Sequence, residues 1–347
     1  MTRNAALSPL ASGEMNVALW GRALYTVQRV DKAGWERLDI VSRYLIASRA
    51  SVLVITFISV AIAGLLAIRS GRFDAGLWVL SAVALLLAHA TNNLVNDLTD
   101  HLKGVDRNNY FRAVYGAHAL EHQLLSVRGL ILYAAVGGVA AIAIGGYLVA
   151  ARGPLALALM AAGAFFVLFY TYPLKYIGLG EIAVILVWGP LMIGGTYFIV
   201  TGVWDWDVAL VGLPYALGAT SVIFGKHIDK LADDKVRGIH TLPVIMGETA
   251  ARWTLVAMVA LMYLTVLYLV LTGFLTPVVL VVALALPKAR AALAIFTKPR
   301  PAERPESYPK LAWPLYFVRF AFVHNRRFGL LLLLGMVGDV VLRMAIR

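Results

Sequence analysis

Nine apolar runs, each long enough to cross about 30 Å of hydrocarbon, decide what this chain can become. They fall at roughly 50–68, 75–96, 129–150, 154–172, 180–201, 207–225, 253–272, 274–296 and 328–345; the eighth is interrupted by Pro287, Lys288 and Arg290. Inside lipid, every peptide N–H and C=O must find a partner within its own segment or in a closed barrel, so runs of this length read as helices. A composition of 61% hydrophobic and 14% charged residues, with mean hydropathy +0.78, agrees. The expected fold is an all-α polytopic membrane protein. With no cysteine in the sequence, disulfides, thiolate metal sites and cysteine nucleophiles are excluded.

The net charge of +12 is a matter of topology. With the N-terminus on the cytoplasmic side, 26 of the 31 lysines and arginines fall on inside segments and 5 on outside ones. This asymmetry predicts a cell-membrane protein with a cytoplasmic N-terminus and an external C-terminus, and it argues against nucleic acid as a partner. Residues 1–49 lack the uninterrupted apolar core of a signal peptide. Within them, 14–46 carries Trp20, Leu24, Val27, Trp35, Leu38 and Val41 among Arg22, Arg29, Lys32 and Arg37, as in one or two amphipathic helices lying on the bilayer surface. Residues 50–296 form the transmembrane core. Residues 297–327 read as a Pro-rich connector and interfacial segment, and 328–347 as the last transmembrane helix.

Two acidic stretches interrupt this pattern, Asn96-Asp97-Leu98-Thr99-Asp100 and Asp229-Lys230-Leu231-Ala232-Asp233-Asp234. Each lies where an apolar run meets an inside loop. A carboxylate costs roughly 2.5–3.5 kcal/mol at the bilayer centre, so two clusters at one rim imply a guest. For clustered oxygen ligands the natural guest is Mg²⁺ with a phosphorylated substrate. On a helix, His89, Asn93, Asn96 or Asp97, and Asp100 recur on one face. Lys103, Asp106 and Arg107 follow in a turn. In the second stretch Lys226, Asp229 and Asp233 share a face and Lys230 and Asp234 the adjoining one. Lys235 and Arg237 add cations for phosphate oxygens.

Asn96-Asp97-x-x-Asp100 with Gly104-x-Asp106, then Tyr172-Pro-Leu-Lys175-Tyr-Ile-Gly-Leu-Gly-Glu181, then Asp229…Asp234-Lys-x-x-Gly238-x-x-Thr241-Leu-Pro-Val resemble the UbiA superfamily of intramembrane prenyltransferases. The Gly-x-Asp, the Tyr-Ile-Gly-Leu-Gly-Glu run, Gly189-Pro190 and Gly195-Thr196-Tyr197 look most like its MenA branch, which prenylates 1,4-dihydroxy-2-naphthoate in menaquinone synthesis. The match runs in order over about residues 45–290. The resemblance implies nine helices around a central cavity, two Mg²⁺ ions, and a polyprenyl diphosphate and an aromatic small molecule as substrates. It makes Asn96, Asp97 and Asp100 the first metal site and Asp229, Asp233 and Asp234 the source of the second. Tyr172 and Lys175 match the Tyr-x-x-Lys element that contacts diphosphate. There is one departure. Counting back four from Gly238 selects Asp234, with Lys230 where its acidic partner belongs, whereas Asp229 and Asp233 have the family spacing one residue out of register.

On this reading Asp97, Asp100, Asp229 and Lys175 carry the chemistry. Asn93, Lys103, Asp106, Arg107, Tyr172, Lys226, Lys230, Lys235, Arg237 and His89 contact the substrates. Asp106 and Glu121 are positioned as candidate bases, though a solvated role suits either. Glu181 serves as a helix N-terminal charge or as a positioner of Lys175. His118 and His122 flank Glu121 without a soft ligand nearby, which disfavours zinc. Trp188 and Tyr197 are candidates for the cavity wall. Rival readings are another acceptor, a UbiA-type terpene cyclase, or a secondary transporter; the last predicts midplane charges and internal repeats, neither of which is evident.

Overall fold

The chain enters the membrane through three short helices, each started by a side-chain cap. The computed structural model describes residues 13–106 and 116–346. Helices α1 (Val17–Tyr25), α2 (Lys32–Glu36) and α3 (Ile40–Ala47) are capped by Asn16, Asp31 and Asp39, whose side chains accept backbone N–H groups of the first turn. Asp39 also accepts from Trp20 Nε1 at 3.0 Å and from Asn16 N at 3.3 Å, so one carboxylate fastens α1 to α3. Trp35, Leu19 and Leu38 are buried against the membrane domain, whereas Leu24, Val27 and Val41 of the same segment are exposed.

Every predicted span is then found as a helix. Eight are long and apolar enough to cross a bilayer: α4 (Ala50–Arg69), α5 (Ala75–Leu102), α6 (Val127–Arg152), α8 (Gly180–Thr201), α9 (Trp206–Asp229), α11 (Leu242–Leu271), α12 (Pro277–Phe296) and α13 (Phe317–Ile346). The fourth in chain order, α7 (Pro154–Phe169), is apolar but only 16 residues long, about 24 Å at 1.5 Å per residue. A short charged helix, α10 (Leu231–Val236), follows α9. Strands are absent among the described residues; one isolated parallel bridge joins Ile177 to His240. The eighth span, interrupted in sequence, is irregular where Pro287 makes it so: a 3₁₀ stretch over Pro277–Ala285 gives way to α-helix at Leu286. The last helix starts at Phe317, well before residue 328. Its first turns carry Arg319, His324 and Asn325, which lower the hydropathy without breaking the helix.

Packing closes these helices into a ring. Helix α5 pairs with α6, α6 with α7, α9 with α11 and α13, and α13 returns to α12 and to α4. One apolar cluster runs through the ring, with Ile62 and Leu66 of α4, Ile193 of α8, Phe224 of α9, Met262 of α11 and Phe328 of α13 all buried. At the end remote from the acidic stretches, Asp339 of α13 accepts from Thr276 N (2.7 Å), Arg69 (3.4 Å) and Arg343 (3.3 Å). That fully buried carboxylate joins the first, eighth and ninth spans.

Helices α9 and α13 approach so closely that small residues are obligatory at the crossing. A Cβ on Gly225 would lie 2.9 Å from Val318 N and 3.0 Å from Phe317 C, both backbone atoms that cannot swing away. We expect Gly225→Ala to cost about 1–3 kcal/mol of stability, read as a lower melting temperature of the detergent-solubilised protein. An unchanged melting curve would contradict the close approach.

Candidate active site at the rim of the cavity

Three polar segments meet at one end of the ring. The first is the C-terminal half of α5, whose buried face carries His89, Asn93, Asp97 and Asp100. Asp97 is 1% exposed, with its Oδ1 3.2 Å from Arg49 Nη2. The same guanidinium nitrogen donates to Asn93 O at 3.0 Å and to Asn93 Oδ1 at 3.3 Å. Asn93 in turn donates to Ser48 O at 2.9 Å, and Asn96 Nδ2 donates to Thr171 Oγ1 at 2.9 Å. Arg49 adopts a left-handed backbone (φ 57°, ψ 49°), a conformation uncommon for a residue with a side chain. It turns the chain from α3 into α4 and aims the guanidinium inward. Arg49 is missing from the sequence-predicted set; its one signal was a cation abutting the first apolar run.

The second segment is the turn after α7. A 3₁₀ turn over Leu174–Tyr176 brings Lys175 Nζ to 2.7 and 3.0 Å from the two oxygens of Asp100. Lys103 lies 3.7 Å from the centre of the Tyr172 ring, a cation–π contact. The Tyr176 hydroxyl is buried without a hydrogen-bond partner among the described residues. Burial, followed by the charges of Asp100, Asp234 and Asp106, pushes that phenol up to about 12. It therefore stays protonated and can donate, and acids of both motifs surround it.

The third segment runs from the end of α9 through α10. Asp234 is buried with Lys230 Nζ 3.5 Å away, while Asp233 is partly exposed. Lys235 and Arg237 are exposed on the outer turn, and Arg237 Nη1 donates to Val105 O at 2.9 Å, linking the second motif to the loop of the first. The Ile177–His240 bridge ties the intervening element to the same place. Asp106 is buried on His118 Nε2 at 2.8 Å, and Glu121 sits 2.6 Å from His101 Nδ1. Arg107 lies outside the described residues.

Asp229 departs from the sequence-based expectation. Its oxygens accept from Tyr316 N (2.8 Å), Phe317 N (3.0 Å) and Val318 N (3.1 Å), with Arg300 Nε at 3.5 Å. It caps the N-terminus of α13 across the Gly225 crossing, satisfying amides and meeting the positive end of the helix dipole. With Asp229 so occupied, Asp233 and Asp234 of α10 are the acids of the second stretch that remain at the rim.

Below the rim lies a cavity of about 370 Å³. Arg49, Asn93, Asn96, Lys175, Lys226 and His227 line its polar end, and Leu148, Leu159, Met160 and Ile199 are among its apolar walls. His89 and Trp188 also line it, with His89 Nδ1 2.8 Å from Thr56 Oγ1 and the two rings edge to face at 5.3 Å. Tyr197 packs in the apolar core instead. Among the described residues Glu181 forms no hydrogen bond or ion pair with Lys175; it holds His227 Nδ1 at 2.5 Å and accepts from Leu242 N at 3.4 Å. His227, like Arg49 and Tyr176, was not singled out by sequence.

Among the described residues no three acids or histidines converge as a closed metal cage would need. Mg²⁺ does not need one: it keeps several waters and takes one or two carboxylates together with substrate phosphates. Asp97 and Asp100 on α5 and Asp233 and Asp234 on α10 meet that demand, and the Tyr176 hydroxyl, buried without a partner among the described residues, is available as a donor. The donor set fits.

Residues 57–321 match the UbiA prenyltransferase family. UbiA prenyltransferase domain-containing protein 1 of Danio rerio is 29% identical over 252 residues, covering 71% of this chain and 74% of that one. Its homolog in Drosophila melanogaster is 28% identical over 217 residues, covering 60% and 59%. Among solved structures, the apo UbiA homolog from Aeropyrum pernix K1 aligns with TM-score 0.60 at 19% identity over 82% of this chain and 97% of that one. A UbiA homolog from Archaeoglobus fulgidus bound to GPP and Mg²⁺ gives 0.52 at 15% identity over 85% and 99%. At these identities the structural likeness concerns the fold.

Removing the Asp229 carboxylate leaves three buried amides of the last helix without their acceptor. Asp229→Ala should therefore destabilise the protein by about 3 kcal/mol, whereas Asp233→Ala, at a partly exposed position, should change stability by less than about 0.5 kcal/mol. Thermal denaturation of the two variants side by side measures the contrast; equal melting temperatures would refute the capping role.

Proposed function

The chain belongs to the UbiA prenyltransferase family, and from that premise we propose that it transfers a prenyl group from a polyprenyl diphosphate to an aromatic acceptor at this rim, releasing diphosphate. The observation that carries the reading is the meeting of two acidic helix segments and a lysine turn over the polar mouth of an otherwise apolar cavity. Such a shape suits a substrate with a charged head and a long hydrocarbon tail.

Mg²⁺ bound by Asn96, Asp97 and Asp100 on one side and by Asp233 and Asp234 on the other would supply Lewis-acid neutralisation of the leaving diphosphate. The protein's own cations do the rest of the anchoring. Lys175 and Arg49, now paired to Asp100 and Asp97, lie beside those carboxylates and can turn to phosphate oxygens when the metal-bound substrate arrives. Lys226 and Lys230 approach from the opposite loop, and the Tyr176 hydroxyl donates from between them. These charges sit where negative charge grows as the allylic C–O bond breaks with its electron pair on diphosphate. Apolar walls keep water from the allylic cation until an aromatic carbon attacks.

For the acceptor we favour a hydroxylated arene, with 1,4-dihydroxy-2-naphthoate first among candidates, on the MenA-like run from Tyr172 to Glu181 and Gly189-Pro190. The positive-inside asymmetry supports a cytoplasmic rim.

Incubating the purified protein in lipid with Mg²⁺, geranylgeranyl diphosphate and a panel of aromatic acceptors should yield a product heavier than one acceptor by the prenyl group. Chelating Mg²⁺, or substituting Asp97→Asn, Asp100→Asn or Asp234→Asn, should reduce turnover at least about 100-fold. Undiminished turnover in these variants would overturn the metal–diphosphate reading. Diphosphate release that needs no acceptor and gives a hydrocarbon would replace transfer with cyclisation.

A further inference from the structure

Prenyl transfer to a hydroxyarene needs a group to take the hydroxyl proton, and the two acids positioned for it by sequence are both engaged elsewhere. Asp106 is closed against His118, which is 0% exposed and whose Nδ1 accepts from Leu120 N at 3.3 Å. Glu121 is bound to His101 at the loop. Neither acid lines the cavity.

One carboxylate–histidine pair does reach it. Glu181 lies at the start of α8, 1% exposed, and His227 lies near the end of α9, 3% exposed. The 2.5 Å contact from Glu181 Oε1 to His227 Nδ1 places a donated proton on Nδ1, because a carboxylate can only accept. Glu181 Oε2 is fixed by Leu242 N. With Nδ1 protonated, Nε2 carries the lone pair. His227 lines the polar end of the cavity beside Lys226, and Nε2 has no hydrogen-bond partner among the described residues. A buried carboxylate holding one imidazole nitrogen so that the other faces a cavity is the arrangement of a general base.

We propose that His227 is the catalytic base that removes the acceptor's hydroxyl proton, with Glu181 as its positioning residue; this rests on the aromatic prenyltransferase reading above. The O–H bond breaks, the proton goes to Nε2 and the electron pair stays on oxygen. The adjacent ring carbon forms the C–C bond to prenyl C1 while the C1–O bond breaks and its pair leaves on diphosphate. The ring carbon then loses its proton to diphosphate, or carbon dioxide where it bears a carboxylate. The imidazolium returns its proton to the aryl oxygen. Lys226 lines the same cavity.

The test compares native protein with H227Q and E181Q in lipid, using geranylgeranyl diphosphate and naphthols of graded acidity. For a naphthol un-ionised at the assay pH, H227Q should lower kcat at least about 100-fold and E181Q about 10-fold. For a naphthol already ionised in solution, the H227Q deficit should shrink below about 10-fold, and geranylgeranyl diphosphate binding by titration calorimetry should match native in both variants. A purely structural role would depress both naphthols equally or abolish diphosphate binding, and either result overturns the assignment, as does native turnover in H227Q. Native protein that prenylates none of the naphthols would instead sink the parent reading, and this assignment with it.

Discussion

Hydrocarbon leaves no peptide or charged group without a partner, and nearly every organising feature of this protein answers that constraint. Helical spans satisfy their own backbones, but their ends and their ionised side chains need help from neighbours. Asp339 supplies it at one end of the ring by joining Arg69, Arg343 and Thr276. At the other end, Asp229 supplies it by receiving three amides of the last helix. Both carboxylates therefore belong to the scaffold, and both tie the final helix to elements far away in sequence.

The site obeys the same rule in a different way. Asp97 with Arg49, Asp100 with Lys175 and Asp234 with Lys230 are opposite charges held within 2.7–3.5 Å at a partly wet rim. Each pair sets a cation against a buried carboxylate beside the apolar cavity. Buried ion pairs of this sort are weak evidence for stability. Their placement over a cavity is what the proposed function draws on.

Much of this was legible in the chain. Apolar run length identified the helices, since a lipid environment permits little else, and even the poorly defined eighth span failed to be regular for the visible reason of Pro287. Three-to-four-residue spacing placed Asn93, Asp97 and Asp100 on one face because α-helix geometry does so. Motif spacing was less able to judge the second acidic stretch. Asp229, Asp233 and Asp234 are equivalent as letters, and they are separated only by what each one meets. Arg49 and His227 were invisible for the same reason: a lone cation before a span and a lone histidine near its end carry no pattern until their partners arrive from 44 and 46 residues away.

By itself, then, the sequence determined a helical membrane domain, the ends at which its charges gather, and the family of chemistry that those charges suit, because hydropathy and short-range spacing are local properties of the chain. Tertiary structure alone decided which acid caps a helix and which acids stay at the rim, which histidine lines the cavity, and where the cations of distant segments converge. Those outcomes depend on helix crossings such as that at Gly225, where a missing side chain lets the start of the last helix reach Asp229.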